Sequence, residues 1–244
     1  MSNAYRIDDL GQLLSENAYP GRGIVIGQTE TTGKAVTAYF IMGRSENSRN
    51  RVFALKDGEL FAEPFDPSKV VDPSLIIYAA LRTAGDKLVV TNGDQTDTIV
   101  DFLKEGKTFE EALLTRQFEP DYPHLTPRIS GMVSFDPEEE TGFMYTMSIL
   151  KSEDPEGGRC GRYTFDYEPE AGLGHFLHTY ACDGNPLPSF CGEPERVAVS
   201  DDIDEFTDLL WRSLNPDNKV ALYVRYTDPK DRSFEDRLAN RHGE

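Results

Sequence analysis

The stretch GIVIGQTETTGKAVTAYFIM, residues 23–42, holds two apolar runs separated by a polar segment. The first run, Gly23 to Gly27, is short and rich in β-branched residues, which predicts a buried strand. Glu30 to Lys34, with Gly33, predicts a turn, and Ala35 to Met42 predicts the partner strand of a hairpin. This hairpin is therefore the first part of the predicted core.

Further strands are predicted along the whole chain. Asp57-Gly58, between two apolar runs, is a strong two-residue hairpin signal. The segment Leu75 to Leu81 is apolar and is compatible with a helix or a strand. Two stretches without an assignment, Ser152 to Gly161 and Asp183 to Pro194, are interpreted as surface loops or lids. The remaining predicted strands are Val52 to Leu55, Leu60 to Ala62, Lys87 to Thr91, Ile129 to Phe135, Phe143 to Leu150, Arg162 to Tyr167 and, as the last strand, Val220 to Tyr226.

Helical periodicity is confined to a few segments. The first 18 residues contain one short apolar pattern, which predicts a docked helix in an N-terminal extension, residues 1–18. Other helices are predicted at Thr96 to Lys104, Thr108 to Leu114 and Ile203 to Leu214. Helices around hairpin-rich sheets predict an α+β sandwich, and we expect residues 1–244 to form a single domain.

The chain is acidic, with 43 Asp and Glu against 25 Lys and Arg and a net charge of −18. A nucleic-acid partner needs a broad basic surface, so the composition argues against one but allows a small anionic ligand. No apolar run reaches membrane-spanning length, and the first residues lack the pattern of a signal peptide. We therefore expect a cytoplasmic protein without a membrane partner.

Cysteine usage gives little sign of a disulfide framework. The three cysteines, Cys160, Cys182 and Cys191, are irregularly spaced, so reduced thiols are the simplest interpretation. His175 and His178 precede two of them closely, which suggests a zinc site. The H-x2-H-x3-C-x8-C spacing matches none of the common structural zinc patterns, and we expect no metal.

The segment from Gly43 to Arg51 is locally basic in this acidic chain. Its three arginines and one glutamate give it a local charge of +2. Guanidinium and amide donors concentrated after a strand favour a small planar or phosphorylated anion. The alternative for each arginine is a surface ion pair, which contributes only about 0–1 kcal/mol. The donors of this segment are Arg44, Asn47, Ser48, Arg49, Asn50 and Arg51.

Four motifs together resemble the archaeal-type IMP cyclohydrolase family. They are Tyr19-Pro20-Gly21-Arg22, the arginine-rich segment ending in Asn50-Arg51, Asn92-Gly93-Asp94-Gln95-Thr96-Asp97, and Thr126-Pro127-Arg128-Ile129, in the order in which the family has them. The resemblance covers Tyr19 to Gly131. It implies a fold similar to the N-terminal nucleophile (Ntn) hydrolases, a four-layer αββα sandwich of two antiparallel sheets flanked by helices. Ser2 has no evident positioning for the nucleophilic role that an N-terminal residue has in those hydrolases.

The family reaction closes the second ring of a purine. The carboxamide nitrogen of 5-formamidoimidazole-4-carboxamide ribonucleotide (FAICAR) attacks the formyl carbon, and water leaves to give inosine 5′-monophosphate (IMP). The resemblance thus implies a small purine nucleotide as substrate, no cofactor, and a homo-oligomer. Two alternatives remain: a non-catalytic or regulatory purine-nucleotide-binding paralogue, and a related amidohydrolase.

The resemblance also implies three catalytic residues. Glu119, before the Thr-Pro-Arg-Ile motif, is the predicted general acid and base, with a solvated loop glutamate as the alternative. Tyr78 is predicted to hydrogen-bond the formamido group, or else to be a core aromatic residue. Arg51 is predicted to polarise the developing oxyanion or to clamp the carboxamide.

Further residues of the same motifs are predicted to bind the substrate. Arg44, Arg49 and Arg128 are assigned to phosphate or base recognition. The ring edge or the phosphate is expected to meet Asn92 and Gly93, at a strand-to-helix junction that Thr96 and Asp97 support. For Asp94 we favour a helix cap. The full predicted set is Arg44, Asn47, Arg49, Asn50, Asn92, Gly93, Thr96, Asp97 and Arg128.

Overall fold

The predicted hairpin lies at the centre of a six-stranded antiparallel sheet. The computed structural model describes residues 5–70 and 76–242. With strands numbered in chain order, the first sheet contains β1 (Arg22–Gln28), β2 (Ala35–Met42), β10 (Leu173–His178), β11 (Glu195–Ala198), β12 (Lys219–Thr227) and β13 (Phe234–Asn240). The strand order is β11-β10-β1-β2-β12-β13. Every residue of β2 is buried, which explains its continuous apolar run.

The second sheet is a seven-stranded antiparallel meander. It contains β3 (Val52–Lys56), β4 (Glu59–Glu63), β5 (Tyr78–Ala84), β6 (Lys87–Thr91), β7 (Arg128–Phe135), β8 (Phe143–Ser152) and β9 (Cys160–Tyr167). Its strands follow one another in chain order from β3 to β9. Neighbours in sequence therefore pair directly.

Helices cover the outer face of each sheet. The helices are α1 (Leu10–Glu16), α2 (Glu46–Arg49), α3 (Gln95–Lys104), α4 (Phe109–Leu114) and α5 (Ile203–Ser213), with a 3₁₀ turn at Pro67–Lys69. Apolar residues of α1 and α5 pack on the first sheet, and those of α3 and α4 pack on the second. A third core lies between the two sheets. The layers thus run helix, sheet, sheet, helix.

The α+β sandwich of two antiparallel sheets is confirmed, with most of its predicted elements. Leu75 and Ser2 lie outside the described residues, but the apolar segment that follows Leu75 is a strand from Tyr78. The prediction that Val220 to Tyr226 is the last strand is wrong, because β13 follows it. Two further strands, β10 and β11, were not predicted. None of the helices in residues 5–70 and 76–242 is long and apolar enough to cross a membrane.

Candidate active site

A cavity of about 200 Å³ lies beside the N-terminal end of β1. Its wall is built from the segment before β1, the loop after β2, the loop before β7 and the segment after β10. Gly21, two residues after Tyr19 of the wall, has a φ of +83°, and a Cβ there would lie 2.3 Å from the Thr179 hydroxyl. The lining residues are Tyr19, Arg22, Arg44, Ser45, Ser48, Asp121, His124, Thr126, Tyr180 and Leu187.

Arg22 is the first residue of β1 and faces the space between the sheets. Side chains alternate along a strand, so Arg22 shares a face with Ile24 and Ile26, which belong to the core between the sheets. Its guanidinium lies 3.9 Å from the carboxylate of Glu119. Burial disfavours the charge on Arg22, but Glu119 and the nearby tyrosines together outweigh it and raise the pKa of Arg22. Arg22 therefore stays charged in the wall of the cavity.

Glu119 is almost fully buried, with 2% of its surface exposed. Its backbone N–H donates to the Thr126 carbonyl, which holds the loop before β7 against itself. Burial raises the pKa of the carboxyl, and the charges of Arg22 and Arg128 act in the opposite direction without offsetting it. A separation of 3.9 Å from Arg22 is too long for a hydrogen bond, which limits that compensation. A raised pKa suits a group that takes up and returns a proton.

Two buried phenols lie next to this ion pair. The hydroxyls of Tyr39, in β2, and Tyr78, in β5, are 2.7 Å apart and connect the two sheets. Burial raises the pKa of both tyrosines, although Arg51 and Arg22 act in the opposite direction. Both are thus neutral hydrogen-bonding groups at ordinary pH.

Arg51 completes the cluster and is 1% exposed. It donates to the carbonyls of Ser48, at 2.8 Å, and Met42, at 3.1 Å. The turn that positions it is held by a capping box, in which Ser45 and Ser48 exchange side-chain and backbone hydrogen bonds. Burial, with Arg22 as the next cause, lowers the pKa of Arg51.

The structure brings the three predicted catalytic residues together around Arg22. Arg51, Tyr78 and Glu119 interact electrostatically with one another and with Arg22. None of the three lines the cavity itself, whereas Arg22 lines it and pairs with Glu119.

Of the predicted substrate-binding residues, only Arg44 lines this cavity. Its guanidinium lies 5.1 Å from the centre of the Tyr19 ring and donates to Asp183 and to the Gly184 carbonyl. Arg49 donates to the Gly43 carbonyl and to Asn218 instead. Other cavities are lined by Arg49 and Asn50 together, by Asn47, and by Arg128.

Asn50 and Asn92, two predicted ligand-binding amides, make hydrogen bonds within the chain, mainly to backbone groups. Asn50 accepts from the Asp66 N–H and donates to the Asp66 carbonyl, at 2.7 and 2.8 Å. Asn92 donates to the Pro127 carbonyl and accepts from the Ile129 N–H and the Gln95 amide. These hydrogen bonds tie loops to neighbouring strands, because buried backbone groups need partners.

The junction between β6 and α3 has several internal contacts. Thr96 is fully buried and donates to the Gly93 carbonyl, and Asp97 pairs with Arg82. Asp94 occupies the N-cap position of α3, as expected for a helix cap, but its side chain makes no capping hydrogen bond. The Asp94 carboxylate instead pairs with two arginines, and these cations lower its pKa although burial raises it.

Sequence reasoning did not assign Arg22, Tyr180 or Thr126 to the site. The Thr126 hydroxyl contacts both Tyr180 and Asp121, and the Tyr180 ring stacks on Tyr19 at 5.8 Å.

The sequence does offer one signal for Arg22. It stands at the start of a predicted strand and shares a face with Ile24 and Ile26, which are apolar, so its side chain is expected to point into the core. The sequence does not show that this strand lies next to the loop before β7, so the contact between Arg22 and Glu119 could not be predicted.

The two histidines considered for zinc have other contacts. His175 Nδ1 lies 2.7 Å from the Tyr145 hydroxyl. His178 contacts Glu195 and the Tyr180 carbonyl. Among the residues that the structure describes, no group of three or more His, Cys, Asp or Glu is placed to hold a metal ion.

The family model of IMP cyclohydrolase-like proteins matches residues 19–232. The chain belongs to this family. The IMP cyclohydrolase of Methanopyrus kandleri is 36% identical over 115 residues, 46% of this chain and 57% of that protein. Those of Methanothrix thermoacetophila and Methanococcus maripaludis are 36% and 33% identical, over 48% and 58% of this chain and 58% and 71% of theirs.

The chain thus spans somewhat more than half the length of the first two curated relatives. The matched range of the IMP cyclohydrolase-like family begins at Tyr19, the first residue of the cavity wall. It also includes Arg22, Arg51, Tyr78 and Glu119. The whole candidate site therefore lies within the family match.

Proposed function

We propose that the protein is an IMP cyclohydrolase, which closes FAICAR to IMP with loss of water. The observation that supports this most directly is the buried pair of Arg22 and Glu119 beside the cavity. The IMP cyclohydrolase-like family model matches residues 19–232, which include this pair, and curated relatives of the chain are named IMP cyclohydrolase.

The reaction needs a proton carrier, because a carboxamide nitrogen is a weak nucleophile. In our proposal Glu119 accepts the proton of the carboxamide nitrogen as the new C–N bond forms. It gives this proton to the formyl oxygen, which becomes a hydroxyl, and then moves the proton of the formamido nitrogen to that hydroxyl, which leaves as water while the ring C=N bond forms. A substrate bound against Arg22 lies next to this carboxylate, since Arg22 lines the cavity and pairs with Glu119.

The developing negative charge needs fixed partners. The formyl oxygen gains charge as the tetrahedral intermediate forms, and the guanidinium groups of Arg22 and Arg51 provide positive charge on the side of the buried cluster. Tyr78 supplies a neutral hydroxyl. Arg44 is the other arginine of the cavity wall and is our proposed contact for the phosphate.

The test is the ultraviolet absorbance change on adding FAICAR to the purified protein. Glu119→Gln keeps the shape of the side chain but cannot carry a proton as a carboxylate, so we expect turnover to fall about 10²–10⁴-fold. Glu138→Gln, in the exposed turn between β7 and β8, is the matched control and should leave turnover unchanged.

Other results would point to other functions. Binding of IMP without ring closure would identify a non-catalytic nucleotide-binding paralogue. Release of formate from FAICAR would identify an amidohydrolase. Equal turnover in the Glu119 and Glu138 variants would contradict the assignment of Glu119.

We also propose that the helix, sheet, sheet, helix layering is that of the Ntn hydrolases and that the chain is a single domain. The apolar residues of α1, in the predicted extension, pack with those of α5 on the first sheet, which supports one domain. The predicted homo-oligomer and cytoplasmic location stay predictions. Sedimentation of the purified protein and imaging of the tagged chain test them.

A further inference from the structure

A second arginine cluster lies on the outer side of the second sheet, beyond the end of α4. Arg116, Arg128 and Arg162 line a depression of about 320 Å³ there. The side chain of Arg128 points to the helix layer, because it shares a face of β7 with Met132, which packs against α3 and α4. No carboxylate is among the described residues that line the depression. Such a concentration of cations is unexpected in a chain with a net charge of −18.

The three guanidinium groups are fixed by the surrounding chain. Arg162 donates to the carbonyls of Leu113, Cys160 and Arg116. Arg116 and Arg128 share the carboxylate of Asp94, at 2.5 and 2.7 Å. Three cations and one carboxylate leave a local charge of +2.

Arg128 has an unused donor in this cluster. The residue is 7% exposed, and its Nε has no hydrogen-bond partner among the described residues. Its Nη1 is bound to Gln95, at 2.6 Å, as well as to Asp94. A buried donor without a partner is costly, and an arriving acceptor relieves that cost.

We propose that this depression is a binding site for an anion that carries a phosphate group. Guanidinium forks match the geometry of phosphate oxygens, and their immobilisation by carbonyls lowers the entropy lost on binding. The lining is polar, with Gln117 and Thr115 at the rim, which suits an ion better than an apolar molecule. Asp94 is the one carboxylate that an incoming anion must tolerate.

The proposed anion site is separate from the candidate active site. The segment from Phe118 to Asp121 forms the wall between them. Phe118 and Pro120 line the anion site, whereas Asp121 lines the active-site cavity and Glu119 pairs with Arg22. The alternation of side chains along this segment thus assigns its residues to opposite sides.

Calorimetric titration with inorganic pyrophosphate at pH 7 and constant ionic strength tests the proposal. Arg162→Gln should weaken binding at least about tenfold, because it removes a charge-assisted donor. Gln117→Glu should weaken it similarly by adding a negative charge at the exposed rim without changing the shape of the side chain. Arg212→Gln is the matched control, since Arg212 is exposed on α5 on the other outer face.

A further control separates this site from the proposed active site. Arg44→Gln should leave the pyrophosphate binding that depends on Arg162 unchanged, since Arg44 lines the other cavity, and any separate binding event that this variant loses belongs to the proposed active site. Titrations with inorganic phosphate and with ribose 5-phosphate then distinguish a free phosphate ion from a phosphate ester. The readout is binding, so the result does not depend on whether the protein turns over FAICAR.

Three outcomes would overturn the proposal. One is the absence of pyrophosphate binding at millimolar concentration. Another is binding that survives both Arg162→Gln and Gln117→Glu. The third is binding that Arg212→Gln weakens as much, which would indicate general charge attraction. If Arg162→Gln fails to fold, Gln117→Glu decides, because its side chain is at the surface.

Discussion

His175 is a buried titratable group far from the cavity, near the other end of β1. It pairs with Ile26 in the first sheet and stacks on Tyr167 of the second, with ring centres 3.6 Å apart. Its Nδ1 contacts the hydroxyl of Tyr145 at 2.7 Å. Burial, with the charge of Arg196 as the second cause, lowers the pKa of His175 to about 4. The neutral imidazole is therefore the form that the folded sandwich accommodates.

This lowered pKa predicts a loss of stability in acid. The unfolded chain binds the proton near a pKa of about 6.5. The contribution of neutral His175 to the free energy of unfolding is therefore complete above pH 6.5 and is lost as the pH falls toward about 4. Between pH 7.5 and 4.5 the free energy of unfolding of the wild type should fall by roughly 2 kcal/mol more than that of His175→Gln. Urea unfolding at the two pH values measures the difference, and parallel curves for both proteins would contradict it.

Single residues also show where sequence reasoning stops. Asn92 is predicted to meet a ligand because an amide at a strand end suits that role, and this stays a prediction, whereas its three hydrogen bonds within the chain were not expected. The assignment of Arg128 to the substrate stays a prediction; its side chain shares a face of β7 with Met132, and its charge also acts on Glu119. Donor and acceptor types are visible in the sequence, whereas the face of a sheet on which they lie depends on strand register.

The apolar run of β1 ends at Gly27, where the neighbouring strand comes too close for a side chain. Gly27 pairs directly with Gly174 of β10. A Cβ on Gly27 would lie 2.5 Å from the Cα of Gly174, closer than non-bonded carbons approach. The two backbones thus meet where neither strand carries a side chain, which allows the close packing of β1 and β10.

Gly27→Ala should therefore destabilise the protein by about 2–4 kcal/mol, because the clash is with backbone that cannot rotate away. Gly158→Ala is the matched control. Its added Cβ would lie 3.5 Å from the nearest atom, so a change within about 0.5 kcal/mol is expected. Urea unfolding of both variants measures the effect. A cost for Gly27→Ala no larger than that of the control would show that β10 moves away freely.

The strands that were predicted and those that were missed differ in composition. β2 is apolar apart from Thr37 and was predicted with its observed bounds. β13, with the sequence FEDRLAN, pairs only with β12 at the sheet edge and carries three charged residues. β10 contains two histidines and a glycine, which weaken the strand pattern although every residue is buried. β13 forms because it pairs at the sheet edge, and β10 forms because it is buried between its neighbours. Neither strand is specified by the β-propensity of its own residues.

Across the whole molecule, polar contacts join the two sheets near both ends of β1. One is the Tyr39–Tyr78 hydroxyl contact near Arg22, and the other is the Tyr145–His175 contact. The fold class could be predicted from sequence because hairpin signals and apolar runs are local. The site could not be assembled from local signals, since Arg22 and Glu119 meet only when the two sheets pack.

Tyr39 and Tyr78 offer a paired test of structure and chemistry. Tyr39→Phe and Tyr78→Phe remove the same buried hydrogen bond, so each should lower the free energy of unfolding by about 1 kcal/mol. Tyr39 is fully buried in β2, whereas Tyr78 is 5% exposed and interacts with Glu119. If the Tyr78 hydroxyl donates to the reacting group, kcat for FAICAR closure should fall about 10²-fold in Tyr78→Phe. It should fall less than about tenfold in Tyr39→Phe. Equal losses of kcat in the two variants would show that the hydroxyl pair supports the site without touching the substrate.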